Sequence, residues 1–221
     1  QDIQGRTALH EAVGAAPIAV ITALRNAGAD PLIQDSYGVT PLARALRLGR
    51  PILEAVLGND TSLSNSDGET PLHIAVQEKT DEETLRYLIS KHYAIDKRDK
   101  TGSTALLLAA QQNLLPLCSI LLVSGADPFQ TNKEGESAVR LALTSNAELL
   151  PLIQEHAENK SDAAGNGLLH YAARYAPLET VQTLLTNTKT GLDKKNLAGE
   201  TPADIAIRWE RPEIAALLQV Q

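Results

Sequence analysis

The chain has 221 residues, no methionine and a single cysteine, Cys118. One cysteine excludes an internal disulfide framework and any cysteine-rich zinc site. Aromatic residues make up only 3% of the sequence, with one Trp and one Phe. A core must therefore come from Leu, Ile, Val and Ala, which favours close-packed helices over a β-sandwich. No apolar run approaches the ~18 residues of a membrane span, and the longest, Leu114 to Val123, is interrupted by Pro116. No signal-peptide pattern is visible at Gln1. The absent methionine predicts a processed form or a piece of a longer chain. Basic charge is also in deficit: the net charge is −7 and the pI about 5.2. That balance disfavours a broad nucleic-acid surface. Apolar residues at 43% suit a folded chain.

Against these absences stands one recurring stretch. In Asn65-Ser66-Asp67-Gly68-Glu69-Thr70-Pro71-Leu72-His73-Ile74-Ala75, a turn runs directly into a helix start. Asn65 and Gly68 are turn residues, Thr70 can cap the first helical amides, and Pro71 falls where its missing N–H costs nothing. The turn glycine recurs at Gly5, Gly38, Gly68, Gly102, Gly135, Gly165 and Gly199, with spacings of 33, 30, 34, 33, 30 and 34. Asp or Asn stands three residues before each, and alanine seven residues after each. The spacing set 33, 30, 34 occurs twice, so glycines pair at 97 residues. Gly28-Ala29-Asp30-Pro31 likewise matches Gly125-Ala126-Asp127-Pro128. The simplest reading is a three-repeat module that was copied.

These residues resemble the ankyrin repeat, with its period of about 33 and its Thr-Pro-Leu-His-x-Ala helix start. The best matches are Thr70-Pro71-Leu72-His73 and Thr7-Ala8-Leu9-His10, followed by Thr40-Pro41-Leu42 and Thr201-Pro202. The resemblance covers about 2–221. It implies an all-α solenoid of stacked helix-turn-helix units with β-turn or hairpin fingers, in a single domain over 1–221. The expected repeats are 2–34, 35–64, 65–98, 99–131, 132–161, 162–195 and 196–221.

Read in order, repeat one has a first helix from Thr7, ended by Gly14, and a second whose Val20, Ile21 and Leu24 lie at helical spacing. In repeat two the second helix closes early at Gly58. In repeat three His92-Tyr93-Ala94 replaces Gly-Ala-Asp. Repeat five is a weak match: Ser137-Ala138-Val139-Arg140 replaces Thr-Pro-Leu-His, and Pro151 predicts a second helix that starts late or kinks. Repeat six has Gly167 where the capping Thr belongs, so its first helix should be less well capped. Repeats five and six should be the more pliable part of the array. Repeats one and seven lack polar, cap-like faces, which predicts a parent protein continuing at one or both ends.

Chemistry is sparse. His10, His73 and His170 share one repeat position, and the resemblance implies that each ties its repeat to the next through backbone. Separated by whole repeats, they cannot converge on one metal. No His, Cys or carboxylate set has zinc spacing. The segment from Asp60 fails as a calcium loop, with Asn65 at the sixth position and Pro71 at the twelfth. No phosphate-cradling loop occurs. Cys118 is expected in the core. The expectation is therefore no enzyme, no cofactor and no metal, and neither nucleic-acid binding nor membrane insertion.

The resemblance implies a protein–protein interaction scaffold. Its partner would bind the concave surface formed by finger tips and the open side of each first helix. Those positions map to Arg6, Tyr37, Arg47, Glu69, Gln77, Lys100, Gln111, Gln112, Lys133, Arg174, Tyr175, Arg208 and Trp209. Arg174-Tyr175 and Arg208-Trp209 occupy the same two positions in adjacent repeats, and these residue types are enriched at binding hot spots. Trp209 as an improvised end cap stays open beside that reading. So does a second role for the whole chain, as the targeting or regulatory arm of a larger enzyme, channel or secreted effector. The isolated domain is expected to be a monomer in the cytoplasm, or periplasmic or exported if Gln1 is a processed terminus.

Overall fold

A computed structural model describes residues 1–187 and 191–219. The described residues contain helices and turns and no strand. Each repeat begins with a finger whose geometry is fixed by one side chain. The Oδ1 atom of the leading Asp or Asn accepts from the backbone N–H groups two and four residues on, as in Asn65 with Asp67 and Glu69, both at 2.9 Å. The same pair of bonds forms at Asp2, Asp35, Asp99, Asn132, Asp162 and Asn196. The repeated choice of Asp or Asn thus has a local cause: only a short side-chain carbonyl reaches both amides.

The chain forms two compact units, Gln1–Leu108 and Ala109–Gln221. The first contains α1 (Ala8–Ala12), α2 (Ile18–Asn26), α3 (Pro41–Leu48), α4 (Arg50–Leu57), α5 (Pro71–Gln77) and α6 (Glu82–Ser90). Within it the first helices of successive repeats, α1, α3 and α5, pack side by side, and α2 packs on α4. Helix α7 (Ala105–Gln111) carries the division between units. The second unit continues with α8 (Leu115–Val123), α9 (Ala138–Thr144), a 3-10 turn (Ala147–Leu149), α10 (Leu150–Ala157), α11 (Leu168–Tyr175), α12 (Leu178–Asn187), α13 (Pro202–Arg208) and α14 (Pro212–Gln219). There α9, α11 and α13 pack in sequence, as do α8 with α10 and α12 with α14. The result is an all-α repeat fold.

The helix starts follow the sequence. Thr40 accepts from Ala43 N–H, and Thr201 from Asp204 N–H. Ser137, in the weak repeat, is fully buried and caps α9 by accepting from Arg140 N–H at 3.2 Å, as Thr40 caps α3. Gly167 offers α11 no side-chain cap. Pro151 sits in the first turn of α10, behind the 3-10 turn, so the late start places it where a missing N–H is tolerated. His92 adopts φ +62° where Gly28 and Gly125 have +87° and +100°, so the missing glycine leaves its left-handed conformation behind. Helix α1 ends at Ala12, before Gly14. Within α2 only Ile21 is fully buried, while Leu24 is half-buried and Val20 is exposed. Helical spacing identified a stripe there wider than the part that neighbouring helices cover.

The core is aliphatic: Leu, Ile, Val and Ala supply most of its fully buried side chains. Cys118 is among them, and burial pushes its thiol up to about 12.

Candidate functional site

The three motif histidines are spent on architecture. His73 accepts from Thr70 N–H through Nδ1 at 3.1 Å, and its Nε2 faces the Ser103 carbonyl oxygen of the next repeat at 3.1 Å. His10 makes the same pair with Thr7 N–H and Val39 O, and His170 with Gly167 N–H and Glu200 O. Because Nδ1 must accept, the proton sits on Nε2, and the ring is neutral. Burial lowers the pKa of His73 and His170, while their carbonyl partners and nearby carboxylates pull the other way. Among the described residues no group of three His, Cys, Asp or Glu could hold a metal ion.

In the first unit most of the expected partner-facing residues are paired with other side chains. Arg47 pairs with Glu78 of the next repeat, and Lys100 Nζ reaches Asp67 at 3.3 Å. Gln77 donates to Glu69. Arg6 pairs with Glu11 at 2.9 Å and with Asp2 at 3.4 Å. Only Tyr37, 77% exposed at its finger tip, presents a large apolar surface of this set. In the second unit Gln111 donates to Glu136 at 2.9 Å, and Gln112 and Lys133 are exposed.

The remaining four residues come together in the second unit. The Arg174 guanidinium lies 4.1 Å from the centre of the Trp209 ring and 4.7 Å from that of Tyr175. Arg140 lies 4.9 Å from the centre of the Tyr175 ring. Arg140, Tyr175, Arg174 and Trp209 thus form a column of alternating cations and rings drawn from three successive repeats. Arg208 flanks it, paired with Glu200 at 2.9 Å. Behind the column Tyr175 packs on Tyr171 at 5.9 Å, and Tyr171 meets Phe129 edge-on at 5.4 Å. The Tyr171 hydroxyl donates to Asp162 Oδ2 at 3.0 Å. Burial, reinforced by that carboxylate, pushes the phenol pKa up, so it remains a donor. A cleft of about 60 Å³ opens between Arg174, Tyr175 and Arg208 over Asp162. It would take a side-chain tip, whereas pockets for drug-sized ligands run from ~300 Å³ upward.

Sequence reasoning missed Arg140, Tyr171 and Phe129. Arg140 had a signal. It occupies the position of the motif histidine, whose side chain points at the following repeat, so an arginine there reaches the next first helix. Tyr171 and Phe129 read as core and carried none.

The family model described as ankyrin repeats in three copies matches residues 42–132 and 106–196, and the single ankyrin-repeat model matches 4–36. The B-cell lymphoma 3 protein homolog of Mus musculus is 32% identical over 166 residues, 72% of this chain and 36% of that protein. The nuclear factor NF-kappa-B p105 subunit of Gallus gallus is 28% identical over 226 residues, 96% of this chain and 22% of that protein. The chain therefore spans little more than a third of the first and less than a quarter of the second. The crystal structure of the ankyrin repeat domain of Bcl-3, described as a unique member of the IkappaB protein family, aligns over 98% of this chain and 83% of that one. Its TM-score is 0.55 and its identity 27%. These likenesses support a protein–protein interaction domain.

Proposed function

We propose that this chain, which belongs to the ankyrin-repeat family, is a non-catalytic scaffold that binds a partner protein through its finger tips and the open side of its first helices. The column of Arg140, Tyr175, Arg174 and Trp209 carries the reading. A Trp that is 46% exposed leaves apolar ring surface in water, and covering it with an apolar group of a partner is favourable. An end cap would fold its ring onto the aliphatic core. Here the ring faces a guanidinium on the surface instead. Arg, Tyr and Trp held rigidly side by side are the residue types that dominate binding energy in protein interfaces. The commitment of both ring nitrogens in each motif histidine supports the non-catalytic part, because it leaves none of them free as an acid or base.

The test compares partner capture by the intact chain with capture by a chain carrying Tyr175→Ala and Trp209→Ala. Loss of the captured protein from the double variant, at unchanged helicity and unfolding midpoint, is the expected result. Equal capture by both would place the binding surface elsewhere.

A further inference from the structure

The two copies of the three-repeat module differ in the residues that cover one face. At the 97-residue register Arg174 and Tyr175 correspond to Gln77 and Glu78, and Arg140 corresponds to Ala43. In the first copy that face is self-paired: Glu78 takes Arg47, and Gln77 donates to Glu69. The second copy has a neutral ring where the first has the glutamate. Among the described residues no carboxylate lies within ion-pair distance of Arg140 or Arg174. Two cations are therefore held without counter-ions, in a chain whose net charge is −7.

The way they are held bears on what they can bind. A guanidinium over a ring uses its face and leaves its N–H edge available; Arg140 spends Nη1 on the Gly135 carbonyl oxygen at 3.2 Å and keeps its other N–H groups. Arg174 is in contact with rings from two repeats, so little side-chain freedom remains to be lost when that edge meets a ligand. A planar fork of donors fits a carboxylate with two parallel hydrogen bonds. Asp162 lies in the adjoining cleft but is not free to serve. Its Oδ1 takes two backbone amides, and its Oδ2 takes Tyr171 and Asn166.

We infer that this column is a docking site for an acidic segment of a partner protein, with carboxylates on Arg174 and Arg140 and an apolar side chain on Trp209. The inference rests on the proposed interaction surface and specifies the chemistry of its occupant. Charge complementarity selects that occupant. A nucleic acid would need a succession of phosphate contacts, whereas this acidic chain offers two unpaired cations at the column. The overall negative charge also repels acidic ligands at long range, so attraction here is local recognition and not steering.

Trp209 is the chain's only tryptophan, so its fluorescence reports on the site directly. The probe is a short synthetic peptide rich in Glu and Asp around a single Leu. Its controls are the same peptide with Gln and Asn, a phosphoserine version of that neutral peptide, and a short single-stranded RNA. The acidic peptide should give a saturable change in emission that weakens with added salt, and the neutral peptide should give none. Arg174→Gln should weaken binding by about tenfold or more, and Arg174→Lys by less, since it keeps the charge but loses the fork. The inference is overturned if acidic and neutral peptides behave alike, if neither changes the emission, or if Arg174→Gln and Arg140→Gln leave the affinity unchanged. Binding of the phosphoserine peptide or the RNA in place of the acidic peptide also overturns it. If charge makes no difference while the Tyr175→Ala, Trp209→Ala chain still loses its partner, the interaction surface stands and only its acidic occupant falls.

Discussion

Replacing His73 should destabilise the first unit more than most core truncations of similar size. The ring is almost wholly buried, and so are Thr70 and Ser103, whose backbone groups it joins. His73→Ala leaves the buried Thr70 N–H without a partner, while the Ser103 carbonyl oxygen keeps its bond from the Asp99 N–H. That unsatisfied donor costs ~1–3 kcal/mol, on top of the cavity left by the ring. Against a domain stability of ~5–15 kcal/mol, that is a large fraction. His73→Gln should cost less, because its carbonyl can still accept from Thr70. The pH dependence has a definite sign. Burial lowers the His73 pKa from its ordinary value of 6.5, so the unfolded chain binds the proton more readily than the folded one. This contribution is complete above pH 6.5 and is lost as pH falls from there through the folded pKa. His170 adds a loss of the same sign in the second unit. Urea unfolding of the intact chain and of His73→Gln at pH 7.5 and pH 5.5 tests this, together with hydrogen exchange at the Thr70 amide. The intact chain should lose more stability on acidification than the variant does, and acidification should reduce the protection of the Thr70 amide in the intact chain only. A stability gap between the two that stays constant with pH would refute the assignment of a neutral, Nε2-protonated ring.

Gly165→Ala should be worse than Gly199→Ala: both have φ +79°, but a Cβ at Gly165 would lie 3.0 Å from Leu197 N, whereas at Gly199 nothing lies within 4 Å. Unfolding midpoints should place Gly199→Ala at ~1 kcal/mol for the conformation alone, with Gly165→Ala beyond it. His92→Gly should stabilise the chain by roughly 1 kcal/mol, since it relieves a left-handed residue on the surface; a lower melting temperature would contradict this. The Cys118 thiol, buried and pushed up to about 12, should react with a thiol reagent only at the rate at which the second unit opens, so denaturant should accelerate labelling steeply.

The elements legible in the sequence are those whose causes lie within a few residues. Asn65 and its six counterparts each bond their own finger, Thr40 and Ser137 sit beside the amides they serve, and Pro151 displaces a helix start by one turn. Periodicity adds the identity of repeated units, because every copy solves the same local problem. The histidines were legible in role for the same reason: one position, one neighbour, repeated.

What the tertiary structure alone decided is how residues some 30 apart meet. Val20 lies at the same helical spacing as Ile21 and Leu24, yet it is exposed, because burial depends on which neighbouring helix arrives and not on spacing. The expected partner-facing residues share positions beside the motif, and residue type alone sets apart Arg174-Tyr175 and Arg208-Trp209. Approach across repeats divided them into self-paired sets, such as Arg47 with Glu78, and the column in which Arg140 stacks on Tyr175 and Arg174 on Trp209. The sequence by itself determined the repeating unit, since each unit is held by contacts between near neighbours. Which charges neutralise one another and which stand unpaired beside an exposed ring was settled only by packing, because charge pairing and stacking act over a few ångströms between groups that the chain keeps a whole repeat apart.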